Sequence, residues 1–337
     1  MKKLFISMFA VAALAACSKE VAVVVPESMP IAFDNAFVNN ATRATDVTHG
    51  NLENFGVYAS VTNAANDSGL ILSNELVKRE GSKYVYDNLQ YWVPGNTYNF
   101  VALAPRVGQC WNYTPTVVAA NTTLAQNGVL EFMNDNAQAS QDLVLAYTKR
   151  EVSTDTNVDQ QPVAMTFNHL LSRVAFKFKN KFAASSNLTF KVYGVTITDA
   201  ASDGRATIAN GVVGNWEMVG SDTFVRTFGE QEAQNVAIIT AGNEITTEHF
   251  YLIPVAKDYT VTFKVDLYQA GVFIKTYEHS IATTIDFAKG GSYSVTANLD
   301  QDNVGPEALE RIEFKVETVN GWDPNAQSIN ILPQGNN

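Results

Sequence analysis

Cysteine is nearly absent: the 337 residues hold two, Cys17 and Cys110. Positive charge is thin as well. Lysine and arginine total 23 against 34 acids, for a net charge of −11, and no basic cluster occurs. Binding nucleic acid through its phosphates needs a basic stripe, so that class is excluded, as is adsorption to anionic lipid. No apolar run reaches the roughly 20 residues of a membrane-spanning helix. A long 3.6-residue periodicity is missing too. Catalytic signatures are equally scarce. The four histidines, His49, His169, His249 and His279, form no metal-binding pair, and there is no His-Glu-x-x-His, Cys-x-x-Cys or Gly-x-Ser-x-Gly. Asp142, Asp155 and Asp159 lack the glycine and terminal glutamate of an EF-hand loop. Paired glycosidase carboxylates are defined by separation in space, and nothing in the sequence singles out a pair. The expectation is a protein without catalysis, metal or cofactor.

What is present begins at the N-terminus. Met1-Lys2-Lys3 precedes an apolar run from Leu4 to Ala13, followed by Leu14-Ala15-Ala16-Cys17. A basic start, a short apolar stretch and small residues before a cut form a secretory signal, and a cysteine after the cut makes it a bacterial lipobox. Residues 1–16 are expected to be removed and Cys17 to be acylated as the mature N-terminus, tethering the chain to the outer membrane. With Cys17 committed to lipid, Cys110 has no disulfide partner despite the oxidising compartment. Packing must supply the stability, and Cys110 beside Trp111 reads as a small buried apolar residue.

The packing material is ample, at 46% hydrophobic and 17% charged residues, and the length suits two domains. Tyr259, Val261, Phe263, Val265 and Leu267 alternate with polar residues, the period of a strand with one buried face. Val174, Phe176 and Phe178 repeat the pattern, as do Tyr293, Val295, Ala297 and Leu299, and Ile312, Phe314 and Val316. Tyr98, Phe100 and Ala102 alternate inside a more apolar stretch. Polar turns at Asn63–Gly69, Asp199–Gly204 and Gly290-Gly291 separate these runs. Many short strands predict an all-β architecture of sandwiches. The polar stretch Lys149–Gln161, read as strandless, marks the expected boundary between two of them. A second linker, Gln301–Glu310, sets off a terminal element, Leu309–Leu332. Tyr91, Trp92, Trp111, Tyr113 and Trp216 fit either a sandwich core or a sugar-stacking platform.

An ordered set of segments then carries a resemblance. Ile31-Ala32-Phe33, Ala41-Thr42-Arg43-Ala44 and Leu52-Glu53-Asn54-Phe55-Gly56-Val57-Tyr58-Ala59 come first. Tyr91-Trp92-Val93-Pro94 and Tyr98 to Pro105 follow, then Phe167-Asn168-His169-Leu170-Leu171-Ser172-Arg173-Val174-Ala175-Phe176, with Ile312 to Val316 and Gly321-Trp322 at the end. In this order behind a lipobox, the series resembles the fimbrillin family of type V pilins and accessory fimbrial subunits. The resemblance implies two tandem transthyretin-like β-sandwiches and a maturation cut by an arginine-specific protease between Arg43 and Ala44. It further implies that the groove so opened is filled by a C-terminal strand pair of a neighbouring subunit. The donor residues would be Ile312, Phe314, Val316, Val319, Trp322, Ile329 and Ile331. The expected plan is a signal peptide over 1–16, a lipidated pro-segment over 17–43, sandwiches over 44–161 and 162–300, and a linker with donor element over 301–337.

The residues agree with such an exchange on physical grounds. Ile31 and Phe33 alternate, so Met29–Phe37 can cover a sandwich as its first strand. Its removal bares an apolar groove and unpaired backbone, a template for another strand. The expected function is a structural or adhesive subunit of a surface fimbria. Its partners would be other fimbrial subunits, the protease, the outer membrane and a host or bacterial surface ligand. The alternative is a monomeric, lipid-anchored glycan-binding protein, which needs exposed aromatics such as Trp111 or Trp216.

Overall fold

The period of a β-strand, rather than helical periodicity, organises the layers of this protein. The computed structural model describes residues 29–38, 51–107, 110–119, 122–133, 141–155, 161–221, 223–304 and 314–318. They form twenty strands, one four-residue α-helix and two three-residue 3-10 helices, so the all-β expectation holds.

The first sheet contains β1 (Phe33–Val38), β2 (Asn54–Thr62), β3 (Ser68–Glu80), β4 (Lys83–Val85), β5 (Thr97–Ala104), β8 (Val144–Glu151) and β9 (Val163–His169). In the order β1-β4-β3-β2-β5-β8-β9 it closes into a barrel, because β1 pairs antiparallel with β4 and parallel with β9. Phe55, Val57, Phe100, Ala102, Val144, Met165 and Phe167 fill the interior. Closure leaves this sheet without a free edge.

A second sheet takes strands from distant parts of the chain: β6 (Trp111–Ala119), β7 (Thr122–Met133), β12 (Asp203–Ala209) and β13 (Val212–Met218), ordered β13-β12-β7-β6. Its apolar face carries Trp111, Tyr113, Leu130, Phe132, Ile208 and Trp216. That face shares a core with Tyr58, Val101, Leu103 and Leu145 of β2, β5 and β8. Strands β2, β5 and β8 are thus covered on both sides, and a strand buried on both faces reads as a nearly continuous apolar run. Phe100-Val101-Ala102-Leu103-Ala104 is such a run, with alternate residues in two different cores. Where β6 crosses β7, a Cβ at Gly128 would lie 2.5 Å from the Thr114 carbonyl oxygen and 2.6 Å from the Tyr113 ring, so the position requires glycine.

The remaining strands make a sandwich. One layer holds β10 (Ser172–Asn180), β15 (Glu244–Thr246), β16 (Phe250–Leu252), β19 (Ser292–Leu299) and β20 (Phe314–Thr318). The facing layer holds β11 (Leu188–Ala201), β14 (Thr223–Phe228), β17 (Lys257–Gln269) and β18 (Val272–Ile285). Orders are β15-β10-β19-β20, with β16 also on β10, and β14-β11-β17-β18. Phe176, Phe178, Phe190, Phe263, Val265 and Val295 meet between the layers. The alternating set Tyr259, Val261, Phe263, Val265 and Leu267 is buried throughout, as its period predicts.

Two sequence expectations need correction. Lys149–Gln161 is not strandless: Lys149, Arg150 and Glu151 end β8 and pair with Asn99, Tyr98 and Thr97 of β5. Strand β9 pairs with β8 at Val144–Ala146; among the described residues no strand pairs with the polar end of β8 on that side, and the Lys149 and Glu151 side chains are exposed. A boundary drawn at 161/162 therefore falls between two paired strands of one sheet. The linker expected from Gln301 instead opens as a helical turn, α1 (Gln301–Val304). The Asp300 carboxylate accepts the Asp302 N–H at 3.1 Å, the N-cap bond that starts a helix, and Val304 is buried in the sandwich core.

Candidate functional site

The barrel is closed by the segment expected to be removable. Its approach is fixed by backbone bonds on both sides. The Ile31 N–H donates to the Gln90 carbonyl at 2.7 Å, the Trp92 N–H to Met29 at 3.0 Å, and the Val163 N–H to Ala32 at 2.7 Å. The Tyr86 hydroxyl donates to the Ile31 carbonyl at 2.8 Å and accepts the Gln90 N–H at 3.2 Å. Burial raises the Tyr86 pKa above the usual phenol value, so the hydroxyl keeps its proton for that bond. Ile31 and Phe33 are 1% and 3% exposed. The Phe33 ring lies edge-on to Phe55, Tyr86 and Phe100, with centroids 6.1, 5.4 and 5.8 Å away. Two fully buried large side chains contribute roughly 1.5–3 kcal/mol each, so this strand is a main support of the barrel.

The terminal element rests on its own chain. Strand β20 runs antiparallel to β19, with Ala297 opposite Phe314, Val295 opposite Val316 and Tyr293 opposite Thr318. Phe314 is 4% exposed, and its ring contacts Phe176 and Phe263, both at 5.9 Å. Cys17, Arg43, Ala44, Ile312, Val319, Trp322, Ile329 and Ile331 lie outside the described residues.

A fimbrillin-like family profile matches residues 42–322. The chain belongs to the fimbrillin-like family. Membership makes it a structural subunit of fimbriae, which goes with association with other fimbrial subunits and a cell-surface location. A fimbrial protein from Bacteroides vulgatus shares the fold at 17% identity and a TM-score of 0.58, over 87% of this chain and 99% of that one. A putative cell adhesion protein from Bacteroides ovatus is 15% identical, with a TM-score of 0.46 over 88% and 96% of the two chains. The fimbrial anchor protein from Porphyromonas gingivalis is 10% identical, with a TM-score of 0.38 over 87% and 98%. Comparison with curated protein sequences finds no match.

The aromatic platform fails in this fimbrillin-like chain. Trp111 and Trp216 are 4% and 5% exposed, and Trp92 and Tyr113 are buried too. Three of them aim their polar atoms at backbone: Trp111 Nε1 donates to Pro105 and Trp216 Nε1 to Leu170, both at 2.8 Å, and the Tyr113 hydroxyl to Ala125 at 2.7 Å. Of the set, Tyr91 alone is exposed. Asp142 also has a structural place, with its Oδ2 2.7 Å from His169 Nδ1 in a buried pair that ties the start of β8 to the end of β9. His279 stacks on Phe263 at 5.0 Å, and burial lowers its pKa to about 4. Among the described residues, no three acidic, histidine or cysteine side chains converge as a metal site, and no helix is long and apolar enough to cross a membrane.

Tyr86 and Gln90, which hold the closing strand, escape the sequence reading. Tyr84 and Tyr86 alternate, yet the short β4 between turns offers too few residues for the period to register. Val163, Met165 and Phe167, the parallel partner strand, carry a clear alternation with Ala164 and Thr166, which is the signal that could have found them.

Proposed function

We propose that this fimbrial subunit assembles by strand exchange, with the barrel groove under Ile31 and Phe33 as the acceptor. The observation that carries the reading is that a segment preceding Arg43 supplies a strand of the barrel. A cut between Arg43 and Ala44 by an arginine-specific protease would release that strand. It would bare Phe55, Tyr86 and Phe100 together with the backbone of β4 and β9. A C-terminal strand from a neighbouring subunit would then take the vacancy, with Phe314 flanked by Ile312 and Val316 as its apolar face. Val319, Trp322, Ile329 and Ile331 would form the rest of the donor. In this reading the pairing of β20 with β19 is the resting state of the donor. Acylated Cys17 would hold the precursor at the outer membrane until the cut, and a surface ligand would be met by the assembled fibre.

The test is polymerisation of the purified chain on digestion with an arginine-specific protease, followed by electron microscopy and size-exclusion chromatography. Polymers should form after cleavage with the natural chain and not with Arg43→Ala or Phe314→Asp. Polymerisation of the uncut chain, or of Phe314→Asp after cleavage, would contradict the assignment.

A further inference from the structure

We propose that the open side of the second sandwich binds an extended basic peptide, one of whose lysine or arginine side chains fills the cavity between β14 and β15. The cavity measures about 510 Å³, within the roughly 300–1,000 Å³ of ligand pockets. Phe178, Val192, Val195 and Phe228 form a buried apolar floor, joined by Ile245. The rim is acidic: Glu230 and Glu232 stand on the loop after β14, and Glu248 stands opposite, after β15. No lysine, arginine or histidine lines the cavity. The cations around it have partners of their own, although Lys264 also lies close enough to Glu232 to feel its charge. Lys177 and Lys179 pair with Glu244 at 3.2 and 3.5 Å. Lys191 Nζ donates to the Ala233 carbonyl at 3.0 Å, Lys264 pairs with Glu278 at 2.9 Å, and Arg226 lies over the Phe250 ring.

An apolar floor under an acidic rim matches a side chain with a hydrocarbon stem and a cationic head. Lysine and arginine bury the stem and keep the head among polar groups. A neutral apolar side chain would gain nothing from the solvent-facing rim carboxylates, and an anion would be repelled. The adjoining backbone favours a peptide over a free amine. Strand β15 pairs with β10 at Lys177–Lys179, and among the described residues no strand pairs with its other side. An exposed edge accepts the main chain of an extended segment, while a neighbouring pocket takes an alternate side chain. Only residues of the second sandwich line the cavity, so the proposal stands apart from strand exchange at the barrel.

The probe is fluorescein-labelled Val-Lys-Val-Lys-Val, titrated against the full chain by fluorescence anisotropy. Binding should saturate and weaken with added salt, since rim charges in solvent are screened. The double variant Glu230→Gln/Glu232→Gln should bind about fivefold or more weakly. Both glutamates are exposed, so an unchanged unfolding transition is expected for that variant. Ile245→Lys, which places the chain's own ammonium at the cavity, should also remove binding. Val-Gln-Val-Gln-Val should bind more weakly and ignore the glutamate substitutions. Equal affinity for the two peptides, no saturable binding, or binding unaltered by either variant would overturn the proposal. Butylamine binding as tightly as the lysine peptide would overturn the choice of a peptide.

Discussion

Replacing Phe314 with alanine should free the last strand without unfolding the sandwich beneath it. Strand β20 has five residues and, among the described residues, a single partner strand, β19. Ordering it costs about 5–10 kcal/mol, at roughly 1–2 kcal/mol per residue. Its backbone hydrogen bonds return about 0.5–1.5 kcal/mol each. The balance is tipped by Phe314, whose removal from contact with Phe176 and Phe263 would lose about 3–5 kcal/mol if the strand stayed in place. A strand that can leave limits the damage, because the rest of the domain loses at most the docking free energy of the strand. Hydrogen–deuterium exchange with mass spectrometry reads this directly. In Phe314→Ala, peptides covering 314–318 should exchange at the rate of open chain, while those from β11 and β17 keep their protection. The guanidinium midpoint should move far less than in Phe176→Ala, where a ring at the centre of the sandwich is deleted. If Phe314→Ala lowered the midpoint as far as Phe176→Ala, β20 would be an integral strand and the reasoning would fail.

Three further outcomes follow from the same contacts. Phe33→Ala should destabilise the full chain by about 3–5 kcal/mol in chemical denaturation; an unchanged midpoint would contradict its place in the barrel core. His279 has its pKa lowered by burial from 6.5 to about 4, so between those pH values the unfolded chain binds more protons than the folded one. Stability should therefore fall as pH drops through that window, and His279→Phe should show a shallower fall; an identical pH profile for both chains would exclude His279 as the cause. Trp216→Ala should cost about 3–5 kcal/mol and strand the Leu170 carbonyl, with the loss seen in thermal unfolding. A folded, equally stable variant would contradict its place in the core between barrel and second sheet.

What the sequence makes legible depends on whether a strand has one wet face. Strand β17 shows its buried residues plainly because Tyr259, Val261, Phe263, Val265 and Leu267 face the core and their neighbours do not. Strand β5, covered on both sides, is legible as a strand but not as the wall between two cores. Parallel neighbours are harder still. The pairs β1 with β9 and β10 with β19 join segments more than a hundred residues apart, and a period of two says nothing about which strand lies alongside. For the same reason the burial of Ile31 and Phe33 is readable, while their dependence on Tyr86, Gln90 and Phe100 is not. The apolar face of β20 is readable, but its seat on β19 of its own chain is set by the sandwich as a whole. Polar residues at Lys149–Glu151 mask a strand end because their side chains are exposed and, among the described residues, β9 does not pair beside them.

Strand exchange at the barrel requires that the closing strand be removed before assembly. Mass spectrometry of the intact subunit taken from surface fibres tests it most directly, by its N-terminal residue. The expected subunit begins at Ala44, without lipid and without Phe33. Fibre subunits beginning at acylated Cys17, with the closing strand still attached, would contradict it.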